Sequence, residues 1–316
     1  MRILITGGAG FIGSHVAQQC LEAGHEIAIL DDLSTGKRSN IPEGTPLYES
    51  DIRSPELKSI LDDFKPEVIS HHAAQMSVRV SIQEPRRDAS INVEGAVNLL
   101  EAAYAAGVRK VIYASTGGAL YGEPRYLPCD EEHPIVPLSH YGISKHTVEH
   151  YLELYAQLYG LDYTVLRYPN VYGPRQDPEG EAGVVAIFTG QMLQGNPITI
   201  YGDGLQERDF VYVGDVARSN LLALDRGSRA IVNLGSNAGT SVYEIFSELA
   251  AIIGYDLEPA YAPARLGEVY RIFLTGDRAS AELGWTPQVE LDDGMRRTVE
   301  WTQAAAFQQQ APALLD

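Results

Sequence analysis

Tyr141-Gly142-Ile143-Ser144-Lys145 sets a phenol and an ammonium four residues apart. On a helix that spacing puts both on one face. A phenol, with an ordinary pKa of about 10, is a poor base at neutral pH. A neighbouring ammonium stabilises phenolate and lowers that pKa, and a bound oxidised nicotinamide would add further positive charge. The pair suits removal of a proton from a sugar or alcohol hydroxyl while a hydride leaves the carbon. Tyr-x-x-x-Lys alone is common on surface helices, so its weight depends on what accompanies it.

Gly7-Gly8-Ala9-Gly10-Phe11-Ile12-Gly13 accompanies it, between a strand-like run and a helical pattern. The stretch fits both G-x-x-G-x-x-G and G-x-G-x-x-G. Such glycines make a tight turn, let backbone approach a pyrophosphate and let the helix pack closely on the strand. The helix N-terminus then offers amides and partial positive charge to the phosphates. Asp31 ends the next strand, near the spacing of about 20 residues at which an acid meets the adenosine ribose. Its charge favours NAD over NADP, although Lys37 and Arg38 follow closely and leave NADP open. Asp51 is a further candidate at the adenine.

These groups need a frame. Strands are predicted at 3–6, 26–31, 46–51, 67–72, 110–115 and 163–167, with a helix after the glycine turn and helices at 89–104 and 141–159. Alternating strands and helices with β-branched runs predict an α/β fold with a Rossmann-type, doubly wound parallel sheet. After residue 167 the periodicity is lost. The simplest division is a dinucleotide-binding domain at 1–167 and a smaller substrate-binding lobe at 168–316, with a segment near 212–235 returning to the main sheet.

Composition narrows the partners. Of 316 residues, 24 are Lys or Arg and 42 are Asp or Glu, a net charge of −18. Such a chain repels phosphate backbones and anionic lipid, so no nucleic acid and no membrane is expected as a partner. An anionic ligand must be held by a few placed arginines and backbone amides. Cys20 and Cys129 form neither a disulfide framework nor a zinc pattern. No signal peptide is read at the start and no run has the length of a membrane span, so a cytoplasmic protein is expected. His71-His72 are adjacent strand residues on opposite faces, and no metal is expected there. Asp130-Glu131-Glu132 reads as a solvated loop.

The chain resembles the extended short-chain dehydrogenase/reductases, and within them the UDP-glucose (UDP-galactose) 4-epimerases. The resemblance rests on the glycine turn and Tyr141 to Lys145, and on Asp31 to Lys37, His72-Ala73-Ala74-Gln75, Tyr113 to Gly122 and Arg167 to Gly173. Gly204 to Asp215 and Arg265-Leu266-Gly267-Glu268 extend it over the whole chain. It implies NAD as cofactor, a UDP-sugar substrate and a homodimer formed through the helices at 89–104 and 141–159. Tyr141 would be the base and Lys145 would hold the nicotinamide ribose. Gly7, Gly10, Phe11, Ile12 and Gly13 would meet the pyrophosphate. Asp31, Asp32, Ser34, Thr35, Gly36, Asp51 and Ile52 would surround the adenosine. Ala73, Ala74, Gln75, Asn92, Ser115 and Tyr168 would line the rest of the cofactor. Asn170, Val184, Val185, Tyr201, Arg208, Arg265 and Glu268 would hold the nucleotide of the substrate, and Ile272 would border the sugar. Ile272 is smaller than Tyr, which predicts some turnover of UDP-N-acetylhexosamines.

One position departs from that family. Counted back from Tyr121-Gly122, the usual catalytic Ser or Thr is replaced by Gly117, and the nearest hydroxyl, Thr116, is one residue early. Thr116 is the expected substitute, with Gly117 beside the sugar. Two glycines after Thr116 also argue against the related dehydratases, which need acids there. Other readings are a UDP-glucuronate decarboxylase or epimerase and a non-catalytic dinucleotide sensor, which commonly lacks the Tyr/Lys pair.

Overall fold

The computed structural model describes residues 1–178, 183–264 and 269–310. The β-branched runs become strands β1 (Arg2–Thr6), β2 (Glu26–Asp31), β3 (Leu47–Glu49), β4 (Val68–His71), β5 (Lys110–Thr116) and β6 (Asp162–Tyr168). They lie in one parallel sheet in the order Ala230–Asn233, β6, β5, β4, β1, β2, β3. The chain winds outward from β1 to β3, then from β4 in the opposite direction. Strand order therefore reverses between β1 and β4, and the crevice beyond their carboxyl ends is where such sheets bind ligands.

Both faces of the sheet are buried, as the unbroken apolar runs require. Leu4, Leu30, Ile69, Val111 and Val165 pack under helices bearing Leu61, Leu99, Val148 and Leu152. Ile3, Ile5, Ile29, Ile112, Leu166 and Val232 pack on the other face against Val16, Val216 and Trp285. Val16 belongs to helix α1 (Phe11–Glu22), which follows the glycine turn and has no acidic residue in its first turn.

Of the two helices expected at 89–104 and 141–159, one matches and one differs. The Tyr141 helix runs His140–Tyr159. It starts at Ser139, whose hydroxyl accepts from Gly142 N at 3.1 Å, and stops at Gly160 in the left-handed region. The helix expected at 89–104 is three pieces: an α-turn Pro85–Ala89, a π-helical turn Ser90–Glu94 and a helix Gly95–Ala105. Apolar periodicity does not reveal the extra residue of a π-turn, which commonly marks a functional position.

Beyond β6, a smaller core gathers Tyr172, Val185, Phe188, Ile200, Phe210, Ile245 and Met295. The chain crosses back between 213 and 233. Helix Val213–Ala223 packs on α1, and strand Ala230–Asn233 pairs with β6. No helix among the described residues is long and apolar enough to cross a membrane.

Candidate active site

A cavity of about 770 Å³ opens along the carboxyl ends of β1, β2, β4 and β5. The glycine turn forms its floor. A Cβ on Gly7, which has φ +68°, would lie 2.6 Å from Ala73 N, and one on Gly13 would lie 2.3 Å from Gly7 O. Only glycine fits either place, because the turn packs directly on the backbone of His72-Ala73 and on itself. Gly10, Phe11 and Ile12 complete this wall.

Asp31 stands at the far end, 6 % exposed. Ala9 N donates to its Oδ2 and Leu33 N to its Oδ1, each at 2.9 Å. Burial raises its pKa, and the two backbone bonds work against that rise. The carboxylate keeps lone pairs for ligand hydroxyls. Asp32, Ser34, Thr35, Gly36, Asp51 and Ile52 line the same end. Asp51 is gripped by the Arg53 side chain, which holds its carboxyl below the usual range.

Tyr141 and Lys145 reach the cavity from the other side, with Ser115 and Tyr168. Lys145 Nζ donates to Ala114 O at 2.9 Å and lies 5.8 Å from the Tyr141 ring centroid. Burial lowers the Lys145 pKa to about 8, against the pull of Asp88 and Glu149. Tyr141 departs from expectation. Burial, with the Asp88 carboxylate, pushes its phenol above the ordinary range. Desolvation outweighs one nearby ammonium in the protein by itself. Tyr168 OH accepts from Asn220 Nδ2 at 2.9 Å, and its ring stacks on His72 at 6.3 Å. Burial first, then Lys145, brings His72 down to about 3. His71 is bonded to Thr6 Oγ1 at 2.7 Å and is likewise kept neutral by burial. Among the described residues no cluster could hold a metal.

A buried polar chain fixes this wall. Ser115 Oγ donates to Glu149 Oε1 at 2.6 Å, Arg167 donates to both oxygens of Glu149, and Arg167 Nη1 donates to Tyr121 OH. Burial alone would raise the Glu149 pKa. Bonds from His146, Arg167 and Ser115 overcome this and set it at about 2. The chain ties the Tyr141 helix to β5 and β6. Nearby, Glu131 is not the solvated acid expected. Its side chain is 4 % exposed, with Arg278 at 3.6 Å and a bond from Asn233 N at 2.6 Å.

All the residues expected around the cofactor line this cavity except Asn92. Asn92 is buried behind it on the π-turn, accepting from Gln75 N at 2.8 Å and donating to Gln75 O at 2.9 Å. It thereby holds the loop Ala73, Ala74, Gln75. Of the residues expected around the sugar nucleotide, none of those described is part of the cavity wall. Thr116 ends β5, and its hydroxyl accepts from Ala119 N at 3.3 Å. Gly117 is packed against Leu274. Asn170 donates its N–H to Asp209 O at 3.0 Å. Val184 and Val185 begin helix Val184–Leu193, and Val185 is in the smaller core. Tyr201 is exposed on a short strand. Arg208 pairs in register with Ile272, which is buried with Tyr121, Cys129 and Leu274. Arg265 and Glu268 lie outside the described residues.

The cavity also contains groups that sequence reasoning missed. Arg175, Gln176 and Asp177 fold back onto it from the segment after Tyr172. Arg175 donates to Ser14 Oγ at 3.2 Å and Gln18 Oε1 at 2.5 Å, and Lys37 pairs with Asp177 at 2.8 Å. The sequence carried little signal for them, since a cation two residues from a glycine occurs at many places in the chain.

Comparison with known proteins agrees with this geometry. Residues 3–235 match the model of the NAD dependent epimerase/dehydratase family. A putative UDP-glucose 4-epimerase of Methanocaldococcus jannaschii is 49 % identical over 299 residues, covering 95 % of this chain and 97 % of that protein. The crystal structure of Thermotoga maritima UDP-glucose 4-epimerase with UDP-glucose superposes with a TM-score of 0.95 at 48 % identity, covering 97 % of this chain and all of that one. The Thermus thermophilus UDP-glucose 4-epimerase in complex with NAD gives a TM-score of 0.92 at 46 % identity, covering 96 % of this chain and all of that one. The chain belongs to the NAD-dependent epimerase/dehydratase family.

Proposed function

We propose that the protein is an NAD-dependent UDP-glucose 4-epimerase that inverts C4 of a UDP-hexose through a transient 4-keto sugar. The observation that carries this reading is one cavity faced by the glycine turn, Asp31, Tyr141 and Lys145. NAD, when bound, supplies the acceptor and donor of a hydride at that carbon. Gly7 to Gly13 hold its pyrophosphate and Asp31 its adenosine ribose. Ala73, Ala74, Gln75, Ser115 and Tyr168 enclose the rest.

Tyr141 takes the proton of the 4-hydroxyl and returns it to the other epimer. Lys145, buried beside it, holds the ribose of the nicotinamide and steadies the phenolate. Thr116 assists at the sugar oxygen in place of the hydroxyl absent at Gly117. Asn170, Val184, Val185, Tyr201, Arg208, Arg265 and Glu268 hold the UDP half, where guanidinium forks suit a diphosphate in an acidic chain. Ile272 borders the sugar and leaves room for N-acetylhexosamines. No acid follows Thr116, so elimination lacks its catalysts. We further propose a homodimer. Tyr104, Leu154, Leu158 and Tyr159 are exposed on the Gly95–Ala105 and Tyr141 helices, a helical face that a second copy can cover. Two free buried cysteines suit the cytoplasm.

Proton NMR of the purified protein with UDP-galactose and no added NAD tests the reading. A UDP-glucose anomeric signal rising to a constant ratio is expected. No conversion, even with NAD added, overturns it.

A further inference from the structure

Asp88 is completely buried, and the cation that feels its charge, Lys145, makes no direct ion pair with it. A buried carboxylate without a cation in contact persists only where hydrogen bonds satisfy it. Here three donors do so, each from a different part of the site. Ser144 Oγ of the Tyr141 helix donates to Oδ2 at 2.6 Å. Gln75 Nε2 of the cavity loop donates to Oδ1 at 2.9 Å, and Asn92 Nδ2 of the π-turn donates to Oδ1 at 3.0 Å. Ser144 adjoins Lys145 and lies one turn from Tyr141, whereas Gln75 and the backbone around it line the cavity.

We propose that Asp88 is a positioning residue: through Ser144 on one oxygen, and Gln75 and Asn92 on the other, it locks the helix bearing Tyr141 and Lys145 to the loop that encloses the cofactor. The inference rests on the reading of Tyr141 and Lys145 as the proton-handling pair. Geometry makes the lock short, since a single carboxylate spans the two walls. Its charge acts on the same pair, favouring the protonated forms of both Tyr141 and Lys145. The other titratable groups coupled to that pair are Glu149 of the same helix, Tyr113 of β5, and His71 and His72 at the end of β4. Glu149 is neutralised by Arg167, and burial keeps both histidines uncharged. Arg86 and Arg87, on Asp88's own turn, are exposed. Asp88 is therefore the negative charge that the pair feels with least compensation.

Asp88→Asn separates the two effects. Its carbonyl still accepts from Gln75 and Asn92, and its amide donates to a Ser144 hydroxyl that reverses role. The lock survives and the charge is lost. The holoenzyme should keep its NAD, its unfolding temperature and its KM, while the acid limb of the kcat profile moves to lower pH by about one unit. Asp88→Ala breaks the lock. It should lower kcat about 10- to 100-fold at nearly constant KM for UDP-galactose, and NAD should dissociate faster. Should that variant fail to fold, Ser144→Ala cuts one arm only. It should lower kcat about tenfold with the acid limb unmoved, and release NAD faster. Ser144→Ala with wild-type kcat and NAD release overturns the lock, and an Asp88→Asn limb at the wild-type pH overturns the action of its charge on the pair. NAD release, followed by the 260 nm absorbance of nucleotide passing an ultrafiltration membrane, needs no turnover. If the wild type converts no UDP-sugar, the epimerase reading fails while the lock is still decided by release from Ser144→Ala.

Discussion

Placing a hydroxyl at Gly117 is the natural attempt to restore the family pattern, and the structure predicts that it fails. A Cβ there would lie 2.2 Å from Leu274 Cδ1 and 3.2 and 3.3 Å from Cδ2 and Cγ. Leu274 has little freedom to yield. It is 1 % exposed among Tyr121, Cys129 and Ile272. Its N–H is held by Asp209 Oδ2 at 3.0 Å and its carbonyl by Asn237 N at 3.1 Å. Gly117 is itself tied to β6, donating to Tyr168 O at 2.7 Å. Overpacking of this kind costs about 1–3 kcal/mol, which lowers the unfolding temperature by about 2–5 °C in a chain of this size.

Activity should fall as well, because relief of the clash moves Thr116 and Tyr168. Thermal unfolding and NMR-detected turnover of Gly117→Ser, Leu274→Ala and the double variant provide the assay. Leu274→Ala alone costs about 2–5 kcal/mol. The double variant should be more stable than the sum of the singles by about 1–3 kcal/mol, the clash now being absent. Strict additivity, with Gly117→Ser unfolding at the wild-type temperature, would refute the packing argument. Thr116→Val completes the set: a loss of about 10²-fold in kcat at constant KM is expected if that hydroxyl serves the sugar. Unchanged kcat would mean that Tyr141 reaches the sugar oxygen unaided.

Three further outcomes follow from the cavity. Tyr141→Phe should lose about 10²–10⁴ in kcat while retaining NAD, and near-normal turnover would remove Tyr141 from the base role. Asp31→Ala should weaken NAD retention on gel filtration without changing KM for the sugar nucleotide; equal retention would show that the carboxylate does not meet the ribose. Glu149→Gln leaves the buried Arg167 charge unpaired and should cost about 3–5 kcal/mol in denaturant unfolding. The folded pKa of Glu149 is depressed to about 2. Its contribution is thus fully present above its unfolded value of about 4.3 and lost as pH falls through about 2. The difference from wild type should be constant between pH 5 and 8 and shrink below, and a gap that closes at neutral pH would contradict the depressed pKa.

What could be read from the sequence was local. Tyr141 and Lys145 share a helix turn, Gly7 to Gly13 share one loop, and Asp31 ends the strand beside β1. In each case the chemistry follows from spacing along a single element, and the parallel sheet brings the three elements to one cavity. The remainder is set by contacts between distant segments. Arg175 packs on α1, Leu274 fills the place where Gly117 lacks a side chain, and Asp88 joins a loop, a π-turn and a helix. Nothing in a residue's own neighbourhood announces such a partner. The π-turn was hidden for another reason: its residues carry the same apolar spacing as the helices that flank it. Lys145 was correctly placed beside Tyr141, but burial was not legible, and burial reverses the expected direction of the phenol's shift.

That reversal has a consequence for when Tyr141 can act. The phenol faces a cavity beside which His71 and His72 are uncharged and Lys145 has a pKa of about 8. With Asp88 opposing ionisation, these residues by themselves hold Tyr141 protonated at neutral pH. Phenolate becomes accessible only when positive charge is added close by, and oxidised NAD carries that charge whereas NADH does not. On the proposed reading of Tyr141 as the base, its proton removal should be coupled to the presence of a cofactor able to accept a hydride, and an enzyme loaded with NADH should keep its phenol protonated. Ultraviolet difference absorbance between wild type and Tyr141→Phe reads this directly. A tyrosinate signal should appear at neutral pH with NAD and vanish with NADH. A signal of equal size in both forms would mean that Lys145 suffices, and that the burial seen around Tyr141 does not govern its proton.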